Sequence, residues 1–273
     1  MDRDVRQRGQ GVMSNEEELM ATIKAFFFDQ DGVIIDTEKD GHRVAFNQTF
    51  EHFGLDAHWS VEDYHQLLQI GGGKERMRHY HHTVGFNTDI SVEDEDAFIK
   101  KLHAYKTDTF IGLLESNRLP PRPGIRRIMR EINQLGLVLA VTTTSNQRAA
   151  RAVAKGILSE IQFDFIIAGD MVSKKKPDPE IYLMALNQSG LAPEECIVIE
   201  DSKNGVSAAK AAGIPVVATT NFYTEREDLS AADLIVTCLG DPDGEKGNLK
   251  AGGEGLDFEG VLTASQLVNY FSP

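Results

Sequence analysis

The chain is short of the residues that build disulfide-rich or zinc-bound domains, since its 273 residues include two cysteines and one tryptophan. Cys196 and Cys238 have no metal-ligand spacing, and a single pair of cysteines makes no disulfide framework. No apolar run approaches the roughly 20 residues that a membrane-spanning helix needs. We therefore expect a protein with an ordinary hydrophobic core in a reducing compartment, the cytoplasm.

Positive charge is also scarce, because 28 lysines and arginines face 42 aspartates and glutamates and leave a net charge of −14. Such a surface repels nucleic acid and anionic membranes, so neither is an expected partner. Residues 1–20 are polar and charged and contain no apolar segment typical of a secretory signal. We predict that they form a disordered leader.

Short apolar segments alternate with helical patterns along most of the chain. Because these segments are apolar throughout rather than at every second residue, they predict parallel strands that are covered on both faces. The predicted strands are Ala25–Asp29, Leu137–Thr143, Phe163–Ala168, Ile197–Glu200, Pro215–Ala218 and Leu234–Val236. The helices predicted between them include Gly124–Leu135, Pro179–Gln188 and Gly205–Ala212. This alternation predicts an α/β fold with a doubly wound, Rossmann-like parallel sheet.

Two regions depart from this alternation. From Thr37 to Leu119 the pattern is helical, and the proline-rich stretch Pro120–Gly124 predicts a stiff return to the sheet. We predict a leader over 1–20, a first core segment over 21–36, a helical cap domain over 37–120 and a second core segment over 121–273. Residues 240–255 are rich in glycine and charge and are predicted to form a mobile loop.

The most informative segment is an apolar strand that ends in two carboxylates. Asp29 and Asp31 follow three phenylalanines and precede Gly32. The carboxyl edge of an open parallel sheet is where such folds bind ligands. Two like charges so close repel each other, which is tolerated when a cation lies between them or a reaction uses them. The segment therefore predicts a site at this edge.

Three further signals follow predicted strands. Thr142–Asn146 offers hydroxyls and backbone N–H groups where a helix begins, which suits an anion, although such clusters also serve as simple helix caps. Lys174–Lys176 places cations at a helix start, where Lys174 and Lys175 also fit a solvated turn. Glu200 and Asp201 end another strand and, with Asp29 and Asp31, supply hard oxygen ligands suited to Mg²⁺.

Taken in order, these motifs resemble those of the haloacid dehalogenase superfamily of phosphohydrolases. The chain shows Asp-x-Asp-Gly-Val, a strand-end threonine, a Lys-Pro pair and a Glu-Asp pair, over about Lys24 to Val236. The resemblance implies a Mg²⁺-dependent enzyme that acts on a small phosphorylated sugar, and we expect it to be a monomer. The helical insertion resembles the small cap of the β-phosphoglucomutase-like members. Gln30 departs from the family, which has an apolar or cysteine residue there; we expect little effect because its side chain should point away.

The resemblance also implies residue roles. Asp29 would be the nucleophile that forms an aspartyl-phosphate, and Asp31 the general acid and base. Thr143 and Thr144 would hold phosphoryl oxygens, and Lys176 would neutralise the phosphate and Asp29. The implied metal ligands are Asp29, the backbone carbonyl of Asp31, Glu200 and Asp201.

Three cap and linker segments extend the resemblance to the CbbY group, whose plant and photosynthetic bacterial members dephosphorylate xylulose 1,5-bisphosphate. These segments are Asp36–Arg43, Ile70–Met77 and Leu119–Gly124. A bisphosphate needs a second cationic site, for which Lys74 is the first candidate and Arg122 a weaker one. The other expected substrate contacts are Glu38, His42, Arg43 and Arg76. Each cap residue could instead stabilise a helix or the surface, and this alternative is stronger for Arg43 and Arg76 than for Lys74.

Three alternatives use similar residues. A β-phosphoglucomutase-like enzyme would return the phosphoryl group of the Asp29 intermediate to another hydroxyl of the sugar. A haloacid dehalogenase would need neither Asp31 as a leaving-group acid nor Mg²⁺. A signalling receiver would keep a long-lived phosphorylated Asp29 without turnover, but the large cap and the spacing of Asp31 argue against it. We favour the phosphatase.

Overall fold

The computed structural model describes residues 22–70, 72–87, 94–116 and 119–272. Within them a seven-stranded sheet has the order β3-β2-β1-β4-β5-β6-β7, and all neighbouring strands are parallel except β6 and β7. The strands are β1 Ala25–Phe28, β2 Val138–Thr142, β3 Phe165–Ile167, β4 Cys196–Glu200, β5 Val216–Thr219, β6 Leu234–Val236 and β7 Leu249–Gly252. The predicted leader, 1–20, lies outside the described residues.

Strand β1 lies in the middle of the sheet and pairs with both β2 and β4. Phe26 is in register with Leu139 on one side and Ile197 on the other. Phe26 and Phe28 pack into one hydrophobic core, and Phe27 packs into a second core on the opposite face. Because successive side chains point to opposite faces, a strand of consecutive phenylalanines needs cover on both sides. The predicted doubly wound sheet is confirmed.

Helices supply that cover. The described residues form α1 Arg43–His52, α2 Val61–Leu67, α3 Gly73–Thr83, α4 Glu95–Glu115, α5 Ile125–Gln134, α6 Gln147–Lys155, α7 Glu180–Ser189, α8 Lys203–Ala211 and α9 Ala264–Phe271. The core helices begin and end within a few residues of the predicted bounds, and Gly136, with φ +68°, follows the end of α5. No helix in these ranges is both long and apolar enough to cross a membrane.

The elements between β1 and α5 are helical, as the sequence pattern predicts. A π-helical turn over Glu38–His42 leads into α1, and α2, α3 and α4 follow. Their aromatic side chains form a hydrophobic core of their own, which includes Phe46, Phe50 and Trp59. The chain leaves and re-enters the sheet region side by side, since Ile35 and Pro121 form an isolated antiparallel bridge. The exact bounds of a cap domain at 37 and 120 stay a prediction.

The prediction of a loop over 240–255 is wrong for residues 249–252. Within it Leu249–Gly252 forms β7, which pairs antiparallel with β6 and completes one edge of the sheet. An exposed segment that contains glycine has little intrinsic preference for a strand, and for this reason its composition predicted a loop. The strand forms because the edge of β6 supplies its hydrogen-bond partners. Strand pairing outweighs the weak local preference.

The departure at Gln30 has a larger consequence for stability than the sequence suggested. Gln30 is 1% exposed, and neither of its side-chain amide atoms has a hydrogen-bond partner in the described part of the chain. Burying an unpaired amide costs roughly 1–3 kcal/mol. We therefore expect Gln30→Met, which keeps the volume and removes both polar atoms, to raise the free energy of unfolding in a urea titration by about 1–2 kcal/mol.

The exposed Gln48→Met on α1 is the matched control for Gln30→Met, because it makes the same chemical change without burial. It should stay within about 0.5 kcal/mol of the parent. A Gln30→Met variant that is less stable than the parent would mean that the amide is hydrogen-bonded in solution.

Candidate active site

The site lies where the carboxyl ends of β1, β2 and β4 meet. Asp29 directly follows β1, and its backbone N–H donates to the carbonyl of Ile199 in β4 at 2.9 Å. Its carboxylate is buried, and Oδ1 accepts a 2.6 Å hydrogen bond from Lys176 Nζ. Burial raises the pKa of Asp29 to about 8, against the opposing effect of the Lys176 ammonium and with the support of the Glu200 carboxylate. The Lys176 ammonium therefore does not by itself stabilise the ionised Asp29 carboxylate enough to offset its burial.

Lys176 joins two of the buried carboxylates. Its Nζ lies 2.6 Å from both Asp29 Oδ1 and Glu200 Oε1, and it also donates to the carbonyl of Thr142 at 2.9 Å. Burial by itself would lower the pKa of Lys176, but the Asp29 and Glu200 carboxylates raise it well above its ordinary value. All three ammonium hydrogens therefore have acceptors, and the lysine is charged.

Glu200 and Asp201 complete an acidic group with Asp29. One carboxylate oxygen from each residue lies within 4.8 Å of the others. Tyr182 donates its hydroxyl to Glu200 Oε1 at 2.7 Å, and Asn221 donates to Asp201 Oδ2 at 2.6 Å. These neighbours orient the carboxylates, and Glu200 Oε2 also accepts from the N–H of Asp201 at 3.0 Å. Asp29 and Asp201 each keep one oxygen with no donor among the described residues.

The backbone around this group makes room for the acids. Gly32 has φ +88°, and a Cβ there would stand 2.1 Å from Asp201 Oδ2. A Cβ on Gly205 would stand 1.9 Å from the carboxyl carbon of Glu200. No other residue fits either position without displacing a carboxylate. The glycine after Asp31 is thus required by the acidic group as well as by the turn.

The donor set fits a small divalent cation. Three buried carboxylates provide hard oxygen ligands, and burial, together with Glu200 and Asp29, raises the pKa of Asp201 well above its ordinary value. Lys176 neutralises only part of this charge. Asp29, Glu200 and Asp201 are therefore the side chains that would hold Mg²⁺.

The carboxylate of Asp31 is held in a different environment. Thr37 donates to its Oδ1 and Ser145 to its Oδ2, both at 2.6 Å, and Thr143 Oγ1 lies 3.5 Å from Oδ2. Its side chain is thus anchored by hydroxyls from the cap linker and from the turn after β2. The two acids of the Asp-x-Asp motif therefore have separate sets of hydrogen-bond partners.

The turn after β2 offers hydrogen-bond donors beside Asp31. Thr143 is fully buried, its N–H donates to Ile167, and its hydroxyl accepts from the N–H of Ser145 at 3.0 Å. The N–H of Thr144 has no acceptor among the described residues. This free donor lies just before α6, where an anion is stabilised.

In the cap, Glu38 and Arg76 are both hydrogen-bonded to the hydroxyl of Tyr64. Tyr64 donates its hydroxyl to Glu38 Oε2 at 2.6 Å and accepts from Arg76 at 3.0 Å. Burial raises the pKa of Glu38, while Arg76 and the Tyr64 hydroxyl oppose the shift. Arg76 is also tied to the carbonyl of Ile70 at 2.9 Å. The three side chains form a rigid, preorganised polar group.

A buried lysine that the sequence reasoning missed lies beside His42. Lys106 is 6% exposed, and its Nζ contacts His42 Nδ1 at 2.7 Å and the faces of Phe46 and Phe110. Burial lowers the pKa of Lys106 to about 8, and burial together with this ammonium lowers the pKa of His42 well below its ordinary value. Since the ammonium can only donate, Nδ1 is the acceptor and His42 carries its proton on Nε2, which lies 3.8 Å from Asp31 Oδ1.

The other cap candidates differ in position. Lys74 is the second residue of α3, is partly buried and has no hydrogen-bond or ion-pair partner within the described ranges. The Arg43 guanidinium is bound to the carbonyls of Lys39 and Trp59 at 3.1 and 3.3 Å, which holds it apart from the acidic group. Arg122 is occupied by core acceptors, among them the carbonyls of Gly32 and Thr220. Lys74 is the least committed cation of the three.

A local signal could have identified Lys106. It stands on α4 at a four-residue spacing between Leu102 and Phe110, so a charged residue interrupts an apolar helix face.

Ser145 stood inside the hydroxyl cluster noted from the sequence. Tyr182 and Asn221 carry no such signal, because their contacts with Glu200 and Asp201 depend on how distant segments fold together.

The fold and the strand-end acids define an α/β protein with an acidic site at the carboxyl edge of its sheet. Comparison with known proteins gives its class, because the family model of the haloacid dehalogenase-like hydrolases matches residues 23–213. A CbbY-like protein from Arabidopsis thaliana is 42% identical over 96% of this chain and 82% of its own length. The CbbY protein of Rhodobacter capsulatus is 40% identical over 80% of this chain and 94% of its own length.

A solved structure gives the same result. An aspartate-to-asparagine variant of CbbY from Rhodobacter sphaeroides, in complex with xylulose 1,5-bisphosphate, matches 81% of this chain and 97% of its own with 36% identity and a TM-score of 0.71. The chain belongs to the haloacid dehalogenase-like hydrolase family and, within it, to the CbbY group. It is an enzyme of the phosphatase class.

Proposed function

We propose that the protein is a Mg²⁺-dependent phosphatase that removes phosphate from xylulose 1,5-bisphosphate or a closely related sugar phosphate. The observation that carries this proposal is that the carboxylates of Asp29 and Asp31 have different partners. Asp29 lies with Lys176 among the acidic side chains, whereas Asp31 is anchored by Thr37 and Ser145. The substrate identity is supported by the sugar bisphosphate bound to a CbbY relative.

In the first step, the Asp29 oxygen that is not bonded to Lys176 attacks phosphorus in line with the sugar oxygen. An acyl phosphate O–P bond forms while the P–O bond to the sugar breaks, and its electron pair goes to the sugar oxygen. Asp31 donates a proton to that oxygen. Lys176 offsets negative charge on both Asp29 and the phosphate. A bound Mg²⁺ would supply further neutralisation of the phosphoryl oxygens.

In the second step, Asp31 takes a proton from a water that attacks the phosphorus of phospho-Asp29. The O–P bond to Asp29 breaks, and inorganic phosphate leaves. Thr37 and Ser145 fix the Asp31 carboxylate for both proton transfers, and the N–H of Thr144 would bind a phosphoryl oxygen. Asp31 thus gives up one proton in the first half-reaction and takes one back in the second.

The cap is proposed to select the sugar and to bind a second phosphate. Lys74, Arg76 and Lys106 place positive charge in a protein whose net charge is −14. Glu38 and the His42 Nε2–H would hydrogen-bond sugar hydroxyls. Because Arg43 is bonded to two backbone carbonyls, we infer that its contribution to binding is indirect.

The test is a panel of sugar mono- and bisphosphates assayed with Mg²⁺ for both free phosphate and rearranged sugar phosphate. A strong preference for xylulose 1,5-bisphosphate with release of free phosphate is the expected result. Broad, weak release would remove the proposed specificity. Conversion of β-glucose 1-phosphate to its 6-phosphate without free phosphate would identify a mutase and overturn the proposal.

Lys74→Ala tests the second phosphate site. Loss of one charge-assisted hydrogen bond should raise KM for the bisphosphate by about tenfold or more and leave kcat little changed. Steady-state kinetics check this, and Lys100→Ala, an exposed lysine on α4, is the control for loss of charge alone. Equal KM values for Lys74→Ala and the parent would contradict the assignment.

A further inference from the structure

The turn after β5 enters the core of the cap. Tyr223 follows Asn221 and Phe222 in this turn, is 5% exposed, and packs in the same hydrophobic cluster as Trp59 and Tyr64. Its ring lies 6.2 Å from that of Tyr64 and 5.3 Å from that of His65, both on α2. A residue of the sheet domain thereby holds the helix that carries Tyr64.

The same turn contacts the acidic group. Asn221 donates through Nδ2 to Asp201 Oδ2 at 2.6 Å and to the carbonyl of Gly32 at 3.4 Å. Its Oδ1 accepts from the N–H groups of Tyr223 and Thr224 at 2.9 and 3.1 Å, and its own N–H donates to Thr224 Oγ1. One side chain therefore sets both the position of a metal-ligand candidate and the conformation of the turn.

Continuous contacts run from the acidic group to the cap. Asp201 binds Asn221, which orders the backbone of Tyr223, and the Tyr223 ring packs on Tyr64. Tyr64 in turn binds Glu38 and Arg76. Helix α2 has only seven residues, so its position depends on tertiary contacts more than on its own propensity.

We propose that Asn221, Tyr223 and Thr224 form a latch that docks the cap on the core, with Tyr223 as a positioning residue for the Tyr64, Glu38 and Arg76 group. The inference rests on the proposed function only where it concerns substrate affinity. The Tyr223 hydroxyl is buried without a hydrogen-bond partner in the described residues, so the ring alone makes the docking contact. Phe222 is the natural control, because it is 45% exposed and lies outside the buried cluster, with its ring centroid 6.3 Å from that of His65.

The first experiment compares steady-state kinetics of Tyr223→Ala, Tyr223→Phe and Phe222→Ala with xylulose 1,5-bisphosphate and with p-nitrophenyl phosphate, which has no sugar for the cap to bind. Tyr223→Ala should raise KM for the bisphosphate by about tenfold and change that for p-nitrophenyl phosphate by less than about threefold. Tyr223→Phe and Phe222→Ala should behave like the parent. Equal losses on both substrates, or a Tyr223→Phe variant as impaired as Tyr223→Ala, would overturn the proposal.

The second experiment needs no substrate and measures amide hydrogen exchange across α2. Exchange should accelerate in Tyr223→Ala and also in Asn221→Ala, although the side chain of Asn221 forms its hydrogen bonds with Gly32, Asp201 and its own turn. It should stay at the parent rate in Phe222→Ala. Unchanged exchange in Asn221→Ala would overturn the coupling. If Asn221→Ala loses its fold by circular dichroism, Asn221→Ser replaces it, since serine is too short to bridge Asp201 and the turn. If the protein does not hydrolyse sugar bisphosphates, the proposed function fails but the latch does not, because amide hydrogen exchange tests the latch without a substrate.

Discussion

Asn in place of Asp29 should abolish phosphate release while the protein stays folded. The amide cannot form the acyl phosphate, so we expect turnover to fall by at least about a thousandfold. A malachite-green phosphate assay measures the loss, and far-ultraviolet circular dichroism confirms the fold. Asp56→Asn, an exposed aspartate in the loop after α1, should keep full activity. Substantial turnover by a folded Asp29→Asn variant would contradict the nucleophile assignment.

The same substitution should make the metal-free protein more stable. Burial raises the pKa of Asp29 from 3.8 to about 8. A carboxyl whose pKa is raised on folding stabilises the native state most below pH 3.8, and this contribution is lost as pH rises toward 8. In EDTA, Asp29→Asn should therefore gain in melting temperature over the parent, most at pH 8 and least near pH 4. Mg²⁺ should reduce the gain by stabilising the parent more.

Lys176→Met should strongly destabilise the protein. It removes the ammonium from between two carboxylates that are almost fully buried, with side-chain exposures of 9% for Asp29 and 1% for Glu200. Breaking a buried pair by removing one partner costs about 3–5 kcal/mol, because the remaining charge is left without compensation. We expect that loss in the free energy of unfolding at pH 8 in denaturant titrations, together with loss of activity.

The pH dependence separates charge from packing in this variant. Lys176 opposes the upward shift in the pKa of Asp29, so its removal should raise that pKa further above about 8. The destabilisation should then be largest in alkaline solution and shrink as pH falls and Asp29 binds a proton. Lys175→Met, an exposed neighbour, is the matched control and should change stability little. A Lys176→Met variant as stable as the Lys175→Met control at pH 8 would contradict this account.

Much of the fold followed from local patterns. Continuous apolar segments predicted six of the strands, because a parallel strand buried on both faces needs no polar alternation. The edge strand Leu249–Gly252 could not be predicted in this way, since it is exposed and its stability comes from pairing with β6. The sequence predicted little effect of Gln30. The structure instead predicts a cost in folding free energy, because its amide is buried without hydrogen-bond partners in the described residues.

By itself, the sequence determined which residues stand at the carboxyl ends of the strands. Asp29, Thr143 and Glu200 were placed at one edge because parallel strands all end there, whatever the packing above them. Only the tertiary structure decided other contacts between segments far apart in the chain: the hydrogen bond from Lys176 to Glu200, the buried ammonium of Lys106 beside His42, and the insertion of Tyr223 into the cap. The physical reason is that a strand end is specified by a few neighbouring residues, whereas the orientation of a side chain above it depends on the domain that packs there.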